Sequence, residues 1–158
     1  MLSGFKIQDL GFRNKAFLII LTSYFLLLTT GLAYVDPGKP TGHVNDFAHV
    51  LRPETVIELE QTLTNFEATT GAEVVVVTID THGTDETVET YSEKLFQEWG
   101  IGKEKEDNGL LLLIARDDRE MRIEVGYGLE PIITDIESGH IIGDILTPAF
   151  QAGDYDAG

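Results

Sequence analysis

The residues most able to do chemistry are carboxylates and amides beside glycine. Asp107-Asn108-Gly109 puts two hard oxygen donors ahead of a position with no side chain. Calcium takes six to eight such oxygens from carboxylates, amides, carbonyls and water, so the triplet reads as part of a divalent-cation site. It reads as readily as a plain turn. Asp46, Glu130 and Asp135 join Asp107 and Asn108 as candidate ligands if the segment before the first helix and the last helix pack against the same end of the sheet. Asp135 also suits a helix cap. In RDDR, Asp117 and Asp118 stand side by side and could hold a metal or share a proton, although in a short turn such residues are usually solvated. His43, His49, His82 and His140 show no metal-ligand spacing and are expected at the surface. There is no GxSxG, P-loop, GxGxxG or DxDxT pattern, and no cysteine to form a disulfide, thiolate site or nucleophile.

Charge narrows the partners. Across 158 residues, 27 acidic against 11 basic side chains give a formal charge of −16. Such a chain repels phosphodiester backbones, so nucleic acid is not an expected partner, while divalent cations are drawn to it. A hydrophobic content of 42% is enough for a real core.

The elements that must position these groups begin after an address. Lys6, Arg13 and Lys15 precede the apolar run Ala16–Leu28, and Gly31 and Ala33 supply the small residues of a cleavage site. A bilayer span needs about 20 apolar residues, so residues 1–33 are expected to be a cleaved signal or, extended to Val35, a signal anchor. Either faces the remainder away from the cytoplasm. Without residues 1–33 the chain keeps 8 basic and 26 acidic side chains, a net −18. Residues 34–42, with two prolines and two glycines, read as a linker.

From there the periods alternate. Pro53 opens a helix whose Val56, Leu59, Leu63 and Phe66 recur at helical spacing, and Gly71 closes it. Glu73–Ile79 is a β-branched run suited to a strand covered on both faces. Val88, Tyr91, Leu95 and Trp99 form one helical stripe, Leu110–Ala115 a second buried strand, and Met121, Ile123 and Val125 an alternating third. A last helix starts near Thr134 or Asp135 and carries Ile136, Ile141, Ile142 and Ile145. The result is an α/β class: a βαβ unit plus an antiparallel hairpin in a short mixed sheet. Its loops fall at two ends, with Gly126–Glu130 expected beside Asp107–Gly109.

VNDFAHVL, TTGAEVVVVTID, LFQEWGIG, DNGLLLLIA, MRIEVGYGLEPIITD and AFQAGDYDAG, in that order, resemble the TPM domain over residues 43–158. The resemblance implies an α/β/α sandwich, often behind a signal peptide and before a transmembrane helix that this sequence does not reach, as if truncated. It also implies calcium binding and, in one member, phosphatase activity. The expected function is a periplasmic or membrane-anchored interaction module for membrane or envelope proteins, with Ca²⁺ as its ion. A metal-assisted acid phosphatase is the alternative. No arginine clamp or nucleophile stands out for that chemistry, and the net charge opposes a phosphate dianion. If the export reading holds, mass spectrometry of the mature protein finds its first residue at or beside Tyr34. Soluble cytosolic protein starting at Met1 is the opposite outcome.

Overall fold

The computed structural model of the chain describes residues 34–158, so the export segment expected over residues 1–33 lies outside the described residues. Strand β1 (Val44–Asp46) leads to helix α1 (Pro53–Thr70), which a left-handed Gly71 ends. Then come strand β2 (Glu73–Ile79), helix α2 (Val88–Trp99), strand β3 (Gly109–Ala115) and strand β4 (Glu120–Val125). A continuous helical run closes the chain: α3 (Asp135–His140), a π-helical stretch (Ile141–Leu146) and α4 (Thr147–Gln151).

The sheet order is β1-β2-β3-β4, parallel except for the β3–β4 hairpin. One face carries Val75, Val77, Ile79, Leu111, Leu113 and Ala115, which pack with Val88, Tyr91 and Leu95 of α2 as the core. By strand alternation the other face carries Val76, Ile114 and Ile123, which are buried too. Ile114 and Met121 face Phe150 and Tyr155 across a cavity there, so the C-terminal run lies over that face and the mixed α/β architecture holds.

Polarity rises toward the sheet edges. In one row across the α2 face, Asn45 pairs with Val77, Val77 with Leu113, and Leu113 with Arg122. The edge strand β4 exposes charge, which discourages sheet-to-sheet association. Strand β1 is held by side chains as much as by its ladder. Asn45 Oδ1 accepts from the Thr41 amide at 2.8 Å, and its Nδ2 donates to the Gly42 carbonyl at 2.8 Å.

Residues 34–42 are strapped along α2. The Tyr91 hydroxyl donates to the Val35 carbonyl at 2.7 Å, and the Trp99 indole donates to Gly38 at 3.1 Å. The Tyr34 ring lies 5.0 Å from Tyr91, under the Lys94 ammonium at 3.6 Å. At the other terminus Asp156 caps a helix it does not belong to. Arg52, at the N-cap of α1, offers no side-chain cap of its own. Instead its amide and Nε donate to the Asp156 carboxylate at 3.0 and 2.9 Å. Hydrogen bonds from Thr55 and then from the Arg52 amide hold that carboxyl below the usual range.

The last helix begins where expected but does not stay α-helical. Thr134 caps it in a reciprocal box with Glu137, as its sequence suggests. Of the isoleucines it was expected to carry, Ile136 and Ile145 are 72% and 58% exposed, while Leu146 is buried. Between Ile136 and Thr147 lies a π-helical stretch, at whose end the Thr147 amide reaches back to the Ile142 carbonyl.

His43 ties β1 to α1. Its Nδ1 lies 3.1 Å from Glu60 and its Nε2 3.0 Å from Glu67, while Glu60 also accepts from the His43 and Val44 amides. Burial pulls the imidazole pKa down, but the hydrogen bonds to Glu60 and Glu67 outweigh it and the net shift is up. Burial pushes Glu60 up, and its amide hydrogen bonds outweigh that, so it ends low. Because the folded pKa of His43 is raised, its contribution is whole below about 6.5, the unfolded value, and is lost as pH rises through the folded pKa. The melting temperature should therefore fall from pH 6 to pH 9 by more in the native chain than in His43→Gln. Equal pH slopes in the two proteins are the result that goes against the latch.

Candidate functional site

The two ends of the parallel strands differ in what their polar groups are doing. At the amino end of β3, the loop Lys103–Asn108 interlocks with Gly126–Gly128. The Gly128 amide donates to the Asp107 carbonyl at 2.9 Å, and the Gly126 amide to Gly109 at 2.9 Å. A Cβ on Gly126 would run into the Asp107 carbonyl, and one on Gly128 into that of Glu106, so both positions are glycine for close approach. The Asn108 amide is fully engaged: Oδ1 accepts from Lys103 at 3.0 Å, and Nδ2 donates to the Gly71 carbonyl at 2.6 Å and to Glu106 at 3.0 Å. Asp107 is exposed, adopts a left-handed φ of 44°, and has no side-chain hydrogen bond among the described residues.

The five candidate cation ligands do not come together. Asp46 ends β1 opposite Thr78, at the carboxyl end of the sheet, whereas Asp107 and Asn108 precede the first residue of β3. Its carboxylate is committed there, accepting from the Thr78 hydroxyl at 2.5 Å and from the Val50 and Leu51 amides at 3.1 Å. Glu130 and Asp135 do share a cavity of about 350 Å³, which also has Arg122 and Glu124 of β4 in its wall. Glu124 is itself engaged, with Ser92 at 3.3 Å and Arg122 at 3.4 Å. Among the described residues no three His, Asp or Glu side chains are grouped to hold a metal ion. Asp46 is thus separated from Asp107 and Asn108 by the length of the ladder, while Glu130 and Asp135 lie in one cavity.

At the carboxyl end the sequence missed a cluster. His82, expected at the surface, is 9% exposed. Its Nε2 lies 2.9 Å from Glu120 and 3.5 Å from Asp118, and its ring is 6.4 Å from that of Tyr91. Asp118 also accepts from the His82 amide at 2.9 Å and the Thr81 hydroxyl at 3.0 Å, so it staples the hairpin turn to the loop after β2. Asp117 turns elsewhere, to Arg116 Nε at 2.9 Å. The two aspartates therefore have different partners. Both carboxylates address the same ring nitrogen of His82, and the other, Nδ1, is buried without a partner among the described residues. A general base must present a nitrogen to its substrate; this imidazole presents neither. The remaining histidines divide: His43 is partly buried in its latch, whereas His49 and His140 are exposed as expected.

A family model described as the TPM domain matches residues 44–158. Among solved structures, the N-terminal domain of a protein from P. gingivalis, determined by solution NMR, is 36% identical over 74% of this chain and 74% of that one, with a TM-score of 0.68. The N-terminal domain of the cg2496 protein from Corynebacterium glutamicum, also an NMR structure, is 18% identical over 81% and 79%, with a TM-score of 0.55, and shares the fold. Among curated proteins none matches.

The two aspartates at opposite ends should separate by stability. Asp46→Ala leaves two amides and a buried hydroxyl without their acceptor and costs roughly 1–3 kcal/mol in urea unfolding. Asp107→Asn, which tolerates the left-handed backbone, stays within about 0.5 kcal/mol. A reversed ranking would show that Asp107 carries the structure.

Proposed function

The chain belongs to the TPM domain family, and on that premise we propose that it works as an exported interaction module that docks on a protein of the membrane or envelope. One observation carries this reading. Among the described residues seven large apolar side chains are exposed, and four lie between the end of β4 and the end of the π turn: Tyr127, Ile132, Ile136 and Ile145, at 78%, 67%, 72% and 58% exposure. Exposed apolar surface concentrated in one segment marks a site of association. The export half of the proposal rests on the basic residues and apolar run before Tyr34. No helix of the described residues is long and apolar enough to cross a membrane.

Calcium belongs to this proposal with fewer protein ligands than the five candidates. Glu130 and Asp135 line one cavity, and water would supply most of the remaining oxygens. The phosphatase alternative has less to stand on, because the buried His82 is locked by Glu120 and Asp118.

The module reading is tested on the complete chain in detergent-solubilised membranes. Replacing Ile132 and Ile136 by Ser should leave the melting temperature within a few degrees and remove the co-purifying partner. An undiminished complex sinks the proposal. Calcium added to labelled protein should shift amides of Arg122–Asp135 and leave Asp46 unmoved. It should stabilise the fold by about 2.7 kcal/mol at a hundredfold excess over its Kd. Glu130→Gln combined with Asp135→Asn should abolish both effects. Silence at Arg122–Asp135 ends the calcium reading.

A further inference from the structure

We propose a second binding site, at the carboxyl end of the parallel sheet, for a small organic anion with an apolar body, its charge held by Arg119. The site is a cavity of about 580 Å³ between the β3–β4 hairpin and the C-terminal helical run. That volume is within the roughly 300–1,000 Å³ of ordinary ligand pockets. Its place is also the usual one, since ligands of open α/β sheets bind outside the carboxyl ends of the strands.

The lining has two characters. Ile114 and Met121 come from the sheet, and Phe150 and Tyr155 from the C-terminal segment, their rings stacked at 4.8 Å. Arg116 and Arg119 come from the hairpin turn. Arg116 has no capacity left: it reaches Asp80 at 2.8 Å, Asp117 at 2.9 Å and the Ala48 carbonyl at 3.0 Å. Those contacts also offset the charge of Asp80 and Asp117. Glu120 borders the cavity with its carboxylate already on His82.

Arg119 is different. Arg52, Arg116 and Arg122 each pair with a carboxylate, but Arg119 forms no salt bridge or side-chain hydrogen bond among the described residues. From Tyr34 onward there are 26 acidic side chains against 8 basic ones, so an arginine without a carboxylate is conspicuous. The turn sets this residue at a left-handed φ of 59°, with its amide on the Arg116 carbonyl at 3.3 Å. A free guanidinium on an apolar, aromatic-walled cavity suits a carboxylate or phosphate head, which it grips bidentately, joined to an aromatic or aliphatic body.

The test is titration of the full chain with three probes: naphthalene-2-carboxylate, its neutral carboxamide, and hexyl phosphate. The carboxylate should bind at least tenfold more tightly than the amide and shift the resonances of Ile114, Met121, Phe150 and Tyr155. The hexyl phosphate result shows whether the head is a carboxylate or a phosphate. Arg119→Gln should remove the tenfold preference, Arg119→Lys should restore part of it, and Arg122→Gln should leave it intact. Arg119→Asn, which suits the left-handed backbone, repeats the loss should Gln disturb the turn. Equal binding of acid and amide overturns the proposal, as does unchanged affinity in Arg119→Gln and Arg119→Asn or failure of every anion to perturb the cavity. None of these probes touches the Tyr127–Ile145 segment, so this site and the module reading can fail separately.

Discussion

The parallel ladder between β2 and β3 is the constraint that the rest of the domain answers to. Its rungs run without a break from Glu73–Gly109 to Ile79–Ala115. Val77, Leu111 and Leu113 are fully buried within it, and a parallel pair cannot be closed by a tight turn. The chain must therefore cross over between the strands, and α2 makes that crossover while its Tyr91 and Leu95 cover one face. The other face still needs cover, which is why the C-terminal run has to return over Ile114 and Met121. Once both faces are covered, the loops can emerge only at the two ends, and the chemistry of the domain is sorted into those ends.

Much of this was legible because its signals are local and repeated. Pro53 and Gly71 bracket α1, Gly100 follows α2, and the β-branched run names β2 outright; each boundary falls where the sequence puts it. Strand β1 was not legible. Three residues are too few to show a period, and Val44–Asp46 is a strand only because β2 is beside it. The π turn escaped for a related reason: a helical wheel assumes one register, and the π-helical stretch Ile141–Leu146 breaks it. Ile136 and Ile145, on either side of the start of that stretch, are exposed, and they are half of the apolar side chains on which the functional reading depends.

The candidate sites were less legible because a carboxylate's partner is set by the third dimension. Asp46 and Asp107 look alike in sequence, each next to an asparagine. One anchors two amides and a threonine, and the other has no side-chain partner among the described residues. His82 follows a strand, where a polar loop residue is ordinarily solvated, and nothing nearby in sequence announces Asp118 or Glu120. Asp156 caps a helix that begins over a hundred residues earlier. Such pairings have no spacing rule.

The signatures that carry the family resemblance mostly satisfy backbone. Asn45 and Asp46 of VND, Asn108 of DNG, and the glycines of GYG hold loops against one another at the two ends of the ladder. A buried loop end with unpaired amides costs more than a surface contact gains, so these residues are under strict steric and hydrogen-bonding demand whatever the domain binds. Resemblance built on them identifies the fold firmly and says little about the ligand. The groups free to act are those the fold leaves over: apolar side chains turned outward after β4, and a guanidinium that an excess of carboxylates has not claimed. Binding is therefore better sought at these unspent positions than at the residues that define the motif.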